Sequence, residues 1–178
     1  MSSAQRAREL DSLGSATYDL AWILILSRRY DEAAREARSS LAVHPNHAGT
    51  LLMLGFALVL KGQPNEAIPW LEKAAVLADR SSGFIDVLAA AYARAGRRSD
   101  ALRILAELKK RRQQGYVAAA SFVIVYLGLG ENEEAFTWLG EAYKERSNIL
   151  QFVKVHPLSD PLRGDPRFAD LVHRVGLG

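Results

Sequence analysis

The 178-residue chain is expected to be all-α, a right-handed α-α superhelix of about four helical hairpins closed by a C-terminal capping helix. Two observations predict this. The first is a period: Gly62, Gly96 and Gly130 recur at an interval of 34 residues, and Ala33, Ala67, Ala101 and Ala135 keep the same interval. Three further columns hold the register, namely Leu20, Leu54, Leu88 and Phe122; Ala21, Gly55, Ala89 and Val123; and Leu24, Leu58, Tyr92 and Tyr126. Columns in one register mark a repeated unit, not an isolated hairpin. The second observation lies inside the unit. "GFALVLKGQPNEAIPWLEKA", Gly55 to Ala74, joins an apolar run to a second apolar-periodic run through a Gly-x-Pro break.

Each element follows from local chemistry. The first helix of a unit places large residues such as Leu54 and Leu58 at i and i+4 on one face. Gly62 or its equivalent ends that helix, because glycine alone takes the left-handed C′ conformation without steric cost. Small residues in the Gly55 and Ala67 columns let the paired helices approach. Glu32, Glu66, Asp100 and Glu134 fall just inside the second helices, where the dipole favours an anion. Pro69 sits one turn into a second helix and removes one backbone hydrogen bond, which is tolerable near a helix start. Units this short cannot bury both apolar faces alone, so neighbours must stack. The expected repeats are residues 14–47, 48–81, 82–115 and 116–149 of one domain, 1–178, with a capping segment at 150–178.

Composition narrows the chemistry. The chain is 49% apolar and 24% charged, as ordinary globular domains are. Absence of cysteine excludes disulfides, thiolate metal ligation and a thiol nucleophile. The longest apolar stretches, Leu51–Leu60 and Tyr116–Gly130, fall short of the roughly 18 residues of a membrane span. The opening "MSSAQRARELDS" is charged where a secretory signal needs an apolar core. A cytoplasmic protein is the expectation. The net charge of +3 raises the question of nucleic acid, but the charges are scattered. "KKRR", Lys109–Arg112, stands where a helix runs out before Gly115, and cations there complement the helix dipole.

The columns resemble the tetratricopeptide repeat. The match is fullest from Ala48 to Ser81, through Leu51, Leu54–Gly55, Leu58, Gly62, Ala67, Leu71 and Ala74. It continues through Leu88–Ala89, Tyr92, Gly96, Ala101 and Leu105, then Phe122, Tyr126, Gly130, Ala135, Leu139 and Ala142. The first copy has Leu20–Ala21, Leu24, Ala33, Ala37 and the closing Pro45. No copy carries the family's Trp at the fourth position, and only the first keeps the final proline. Upstream, Ala4 to Leu10 imitates the tail of a second helix one residue out of register, so the chain reads either as a piece of a longer protein or as carrying a stray half-repeat. Downstream, His156–Gly178 leaves the period. Asp160–Pro161 and Asp165–Pro166 read as N-caps with proline at the first helical position, and Phe168, Leu171, Val172 and Val175 give a buried stripe before Gly176. This ending resembles that of repeat arrays in bacterial multidomain signalling proteins, including class III adenylate cyclases, winged-helix regulators and serine/threonine kinases.

No constellation for catalysis emerges: there is no P-loop, dinucleotide fingerprint or nucleophile elbow. A non-enzyme without cofactor or metal is expected. His44 and His47 lack a third ligand nearby, and Arg163–Gly164–Asp165 is read as a helix cap, not an adhesion tripeptide. The resemblance implies a concave groove lined by Tyr18, Trp22 and Ile25; Leu52, Phe56 and Val59; Asp86, Ala90 and Ala93; and Ala120, Ile124 and Leu127. The Lys, Asn and Arg clamp of chaperone-binding relatives is missing. The expectation is a protein-interaction module whose apolar groove takes a helix or extended hydrophobic peptide. The groove filled by the chain's own ends or by a second copy in a homodimer is one alternative, and a regulatory region acting on an upstream cyclase, kinase or DNA-binding domain is another.

Overall fold

The computed structural model describes residues 16–178. The half-repeat expected at Ala4–Leu10 lies outside them. Among the described residues, regular structure is helical throughout. The helices are α1 (described over residues 16–26), α2 (Tyr30–Val43), α3 (Ala48–Leu60), α4 (Pro64–Leu77), α5 (Ser82–Arg94), α6 (Arg98–Gln114), α7 (Ala119–Leu129), α8 (Asn132–Lys144) and α9 (Pro166–Arg174). Two 3-10 helices, Asn148–Phe152 and Pro157–Leu162, precede α9. The chain divides into two compact units between Phe84 and Ile85, just inside α5.

The turn inside each hairpin is the same object four times. Arg28, Gly62, Gly96 and Gly130 occupy the left-handed region at φ 61°, 80°, 78° and 76°. That reversal lets the next N–H reach back to the helix. Arg29, Gln63, Arg97 and Glu131 donate to the carbonyls of Leu24, Leu58, Tyr92 and Tyr126 at 2.8 to 2.9 Å, the wide bond of a Schellman closure. The same four residues then open the second helix, their own carbonyls accepting from Ala33, Ala67, Ala101 and Ala135 at 3.0 to 3.3 Å. Closure and opening thus share one residue, which makes the turn short and fixes the two helix directions together. The first hairpin uses arginine where the others use glycine, a departure the glycine column does not announce.

Close packing completes the hairpin. The four alanines of the Ala33 column are fully buried. A Cβ on Gly55 would lie 2.4 Å from Leu71 Cγ, so α3 and α4 are in contact at a glycine. In the second unit a Cβ on Gly128 would lie 2.5 Å from Ala90 Cα, against backbone that cannot swing aside. Within the first unit, α3 packs on both α2 and α4. Leu54 is fully buried while its column mate Leu20 is 44% exposed, because among the described residues no earlier helix covers that side of α1.

The C-terminal segment follows the sequence in part. Asp165 caps α9, its carboxylate accepting from the Arg167 N–H at 2.9 Å with Pro166 first in the helix, and Phe168, Leu171 and Val172 are buried. Gly176 terminates it at φ 78°. Asp160–Pro161 does not start a helix. It lies inside the second 3-10 helix, which begins one turn earlier at the His156 cap, and Asp160 pairs with Arg163 at 2.8 Å.

Gly96→Ala meets no atom within 4 Å and still forces a side chain into the left-handed region, so urea unfolding should show a loss of about 1 kcal/mol. Gly55→Val, pressed against Leu71, should lose about 1–3 kcal/mol, with circular dichroism confirming that both variants remain helical.

Candidate interaction site

The residues predicted to line a groove divide sharply by exposure. In the first unit, Ile25, Leu52, Phe56 and Val59 are buried and belong to the core, so they are not an open surface. Tyr18 and Trp22 remain half-buried. Trp22 stacks on Phe56 with ring centroids 6.4 Å apart and planes inclined by 20°. Tyr18 lies over the start of α3, where a Cβ on Gly49 would come within 3.1 Å of its ring.

In the second unit Asp86 and Ala90 are also buried. Ala90 is occupied by Gly128, as described above. Asp86 accepts from the Val87 N–H at 2.6 Å and from the Ser121 hydroxyl on α7. Burial dominates over these bonds and pushes its carboxyl up to about 7. The register of α5 places Asp86 in the same column as Ala120, yet its short side chain turns toward Ser121, a detail that column position alone does not carry.

Ala120, Ile124 and Leu127 of α7 do come together. They line an apolar cleft with an interior of about 40 Å³, closed by Leu139 and Ala142 of α8 and by Val153 and Leu158 from the C-terminal segment. Ile124 keeps accessible surface. The polar groups at the cleft are His156 and Ser159, both buried. His156 Nδ1 accepts from the Leu158 N–H at 3.2 Å, which makes the imidazole the cap of the second 3-10 helix. Burial holds its pKa down to about 4, the nearby Asp160 carboxylate only partly offsetting it. Sequence periodicity supplied the α7 wall. The opposite wall falls in the segment that leaves the period, and no spacing signal announces it.

The basic cluster ending α6 has a structural role. Arg112 donates to the carbonyl of Val117 and pairs with Glu145 at 2.7 Å. Glu145 also accepts from the Ala119 N–H at 3.0 Å, so one ion pair ties the α6–α7 linker to the end of α8. The guanidinium lies 5.0 Å from the Trp138 ring, itself stacked on Phe122 at 3.9 Å. His47 caps α3, its Nδ1 accepting from the Thr50 N–H at 3.1 Å. Among the described residues no group of three His, Asp or Glu is placed to hold a metal ion, and no helix is long and apolar enough to cross a membrane.

Comparison with known proteins locates the fold. No family model matches the chain, and no curated protein matches it. Among solved structures it is similar to one described as the crystal structure of MamA protein, at 20% identity, covering 92% of this chain and 94% of that one, with a TM-score of 0.50. That neighbour is a tetratricopeptide-like helical repeat protein. The likeness establishes the fold class as all-α helical hairpins of the tetratricopeptide kind.

The two buried titratable groups of the second unit act in opposite directions on stability. Asp86, raised, favours folding fully at low pH and loses that contribution as pH rises through about 7. His156, lowered, favours folding above its ordinary 6.5 and loses that contribution as pH falls through about 4. Each masks the other in between. Asp86→Asn should therefore stabilise the protein at pH 8 by about 2–4 kcal/mol and by much less at pH 4, read from urea midpoints across that range.

Proposed function

We propose that the protein is a non-catalytic interaction module that binds an apolar segment of a protein or peptide partner. The observation that carries this is the cleft at Ile124: α7 presents Ala120, Ile124 and Leu127 to it, Leu139 and Val153 face them, and its volume suits part of one aliphatic side chain. An apolar recess with a partly accessible isoleucine at its mouth is the form of an anchor pocket, in which one buried side chain of the partner contributes most of the affinity. The tetratricopeptide-like fold of the structural neighbour agrees with a binding role. Trp22 and Tyr18, half-buried on α1, offer a second apolar contact in the first unit. Of the remaining groove positions, Ala93 is half-buried and Ile25, Leu52, Phe56, Val59, Asp86 and Ala90 are core. A cytoplasmic setting within a larger bacterial signalling protein, as the C-terminal resemblance implies, belongs to this proposal.

Ile124→Glu tests it, since a carboxylate in the apolar cleft opposes a hydrocarbon anchor while its position at the mouth leaves the side chain a route to water. With wild type and variant equally helical, a partner captured from lysate by the wild type should bind the variant at least about tenfold more weakly in a direct titration. Equal affinity would place binding elsewhere. Loss of a wild-type dimer in light scattering, with no partner captured, would assign the cleft to self-association.

A further inference from the structure

A second groove of about 600 Å³ runs past the C-terminal turns of α8 and α9. Its charged lining is cationic throughout, with Lys144, Arg146 and Arg174 contributing to the wall and no carboxylate among the lining residues. Asn148 and Gln151 add side-chain amides that can donate. Lys144 and Arg174 each pair with a carboxylate of their own helix, Glu141 at 2.7 Å and Asp170 at 3.5 Å. These four side chains are 41% to 72% exposed, where such pairs exchange readily with solvent or with another anion. Arg174 also stacks on Tyr143, 4.3 Å from the ring centroid, which holds its guanidinium at the groove wall. Arg146 makes no ion pair among the described residues.

Cations in a last helical turn complement the helix dipole, and Lys144 and Arg174 serve that purpose. Arg146 stands outside it, beyond the Glu145 C-cap, at φ 53°. The groove adjoins the apolar cleft at Leu150, which contributes to the wall of each. A partner segment whose anchor enters the cleft beside Leu150 would present neighbouring residues to the cationic groove that Leu150 also borders.

We infer that this groove receives an acidic stretch of the partner segment whose apolar side chain enters the cleft, so that the preferred ligand alternates aliphatic and carboxylate residues. The inference rests on the proposed role of the cleft. It specifies the ligand's charge, which the cleft alone leaves open.

The full chain is titrated into fluorescein-labelled peptides of about a dozen residues, one repeating Leu-Glu-Glu, one Leu-Gln-Gln and one Ser-Glu-Glu, and anisotropy is read at low and at physiological ionic strength. The Leu-Glu-Glu peptide should bind about threefold to tenfold more tightly than Leu-Gln-Gln, with the difference shrinking as salt rises. Arg146→Gly should reduce that preference without lowering the melting temperature, because φ 53° suits glycine. Equal binding of Leu-Glu-Glu and Leu-Gln-Gln would leave the cleft reading intact and overturn this one. Ser-Glu-Glu binding as tightly as Leu-Glu-Glu would keep the cationic groove and overturn the cleft. Displacement of Leu-Glu-Glu by oligothymidine at lower concentration than by unlabelled peptide would assign the groove to nucleic acid and overturn the inference, as would no binding of any peptide or an unchanged preference in Arg146→Gly.

Discussion

The hydrogen bond from Arg29, Gln63, Arg97 and Glu131 back to the carbonyl five residues earlier is the constraint on which each hairpin depends. It closes one helix, and the donor's own carbonyl opens the next. No side-chain cap assists at the starts of α2, α4, α6 or α8, so the turn itself is closed by backbone hydrogen bonds. The apolar cleft of the second unit depends on this pairing of helices. With α7 and α8 held together, Ala120, Ile124 and Leu127 face Leu139 and Ala142 across a space that the C-terminal segment then roofs over.

Small residues convert this geometry into close packing. Gly55 against Leu71 and Gly128 against Ala90 have no room for a β-carbon, and the Ala33 column is fully buried in all four copies. Dispersion contacts of this kind are weak singly and large together. They also explain why buried polar groups are rare and individually consequential. Asp86 and His156 sit in surroundings that disfavour their charged forms, and each keeps hydrogen bonds of its own.

Repetition made the hairpins legible. Glycine at Gly62, Gly96 and Gly130 and alanine at Ala67, Ala101 and Ala135 mark turns and contacts that recur because the backbone needs them at each copy. Features that occur once were not legible. Arg28 takes the left-handed turn without the glycine signal, Asp86 and Ala90 turn inward although their register suggests a surface, and Leu20 is exposed although its column is core. The candidate site divides along the same line. Its α7 wall lies in a repeat column, whereas Val153, His156 and Leu158 belong to an aperiodic segment whose fold is decided by tertiary packing. Two arginines show the limit of reading charge locally: Arg112 complements a helix end and also ties a linker through Glu145, while Arg146 lies beyond any helix end and faces a groove.

Amide hydrogen exchange on the native chain tests the central claim most directly, by comparing the Arg29, Gln63, Arg97 and Glu131 N–H groups with those of exposed turn residues such as Asn46. The account predicts protection at all four turn amides close to that of mid-helix amides in the same hairpin, because opening them requires separating the two helices. Exchange as fast as at Asn46, with the helices still protected, would mean that the hairpins are held by side-chain packing alone and would contradict the account.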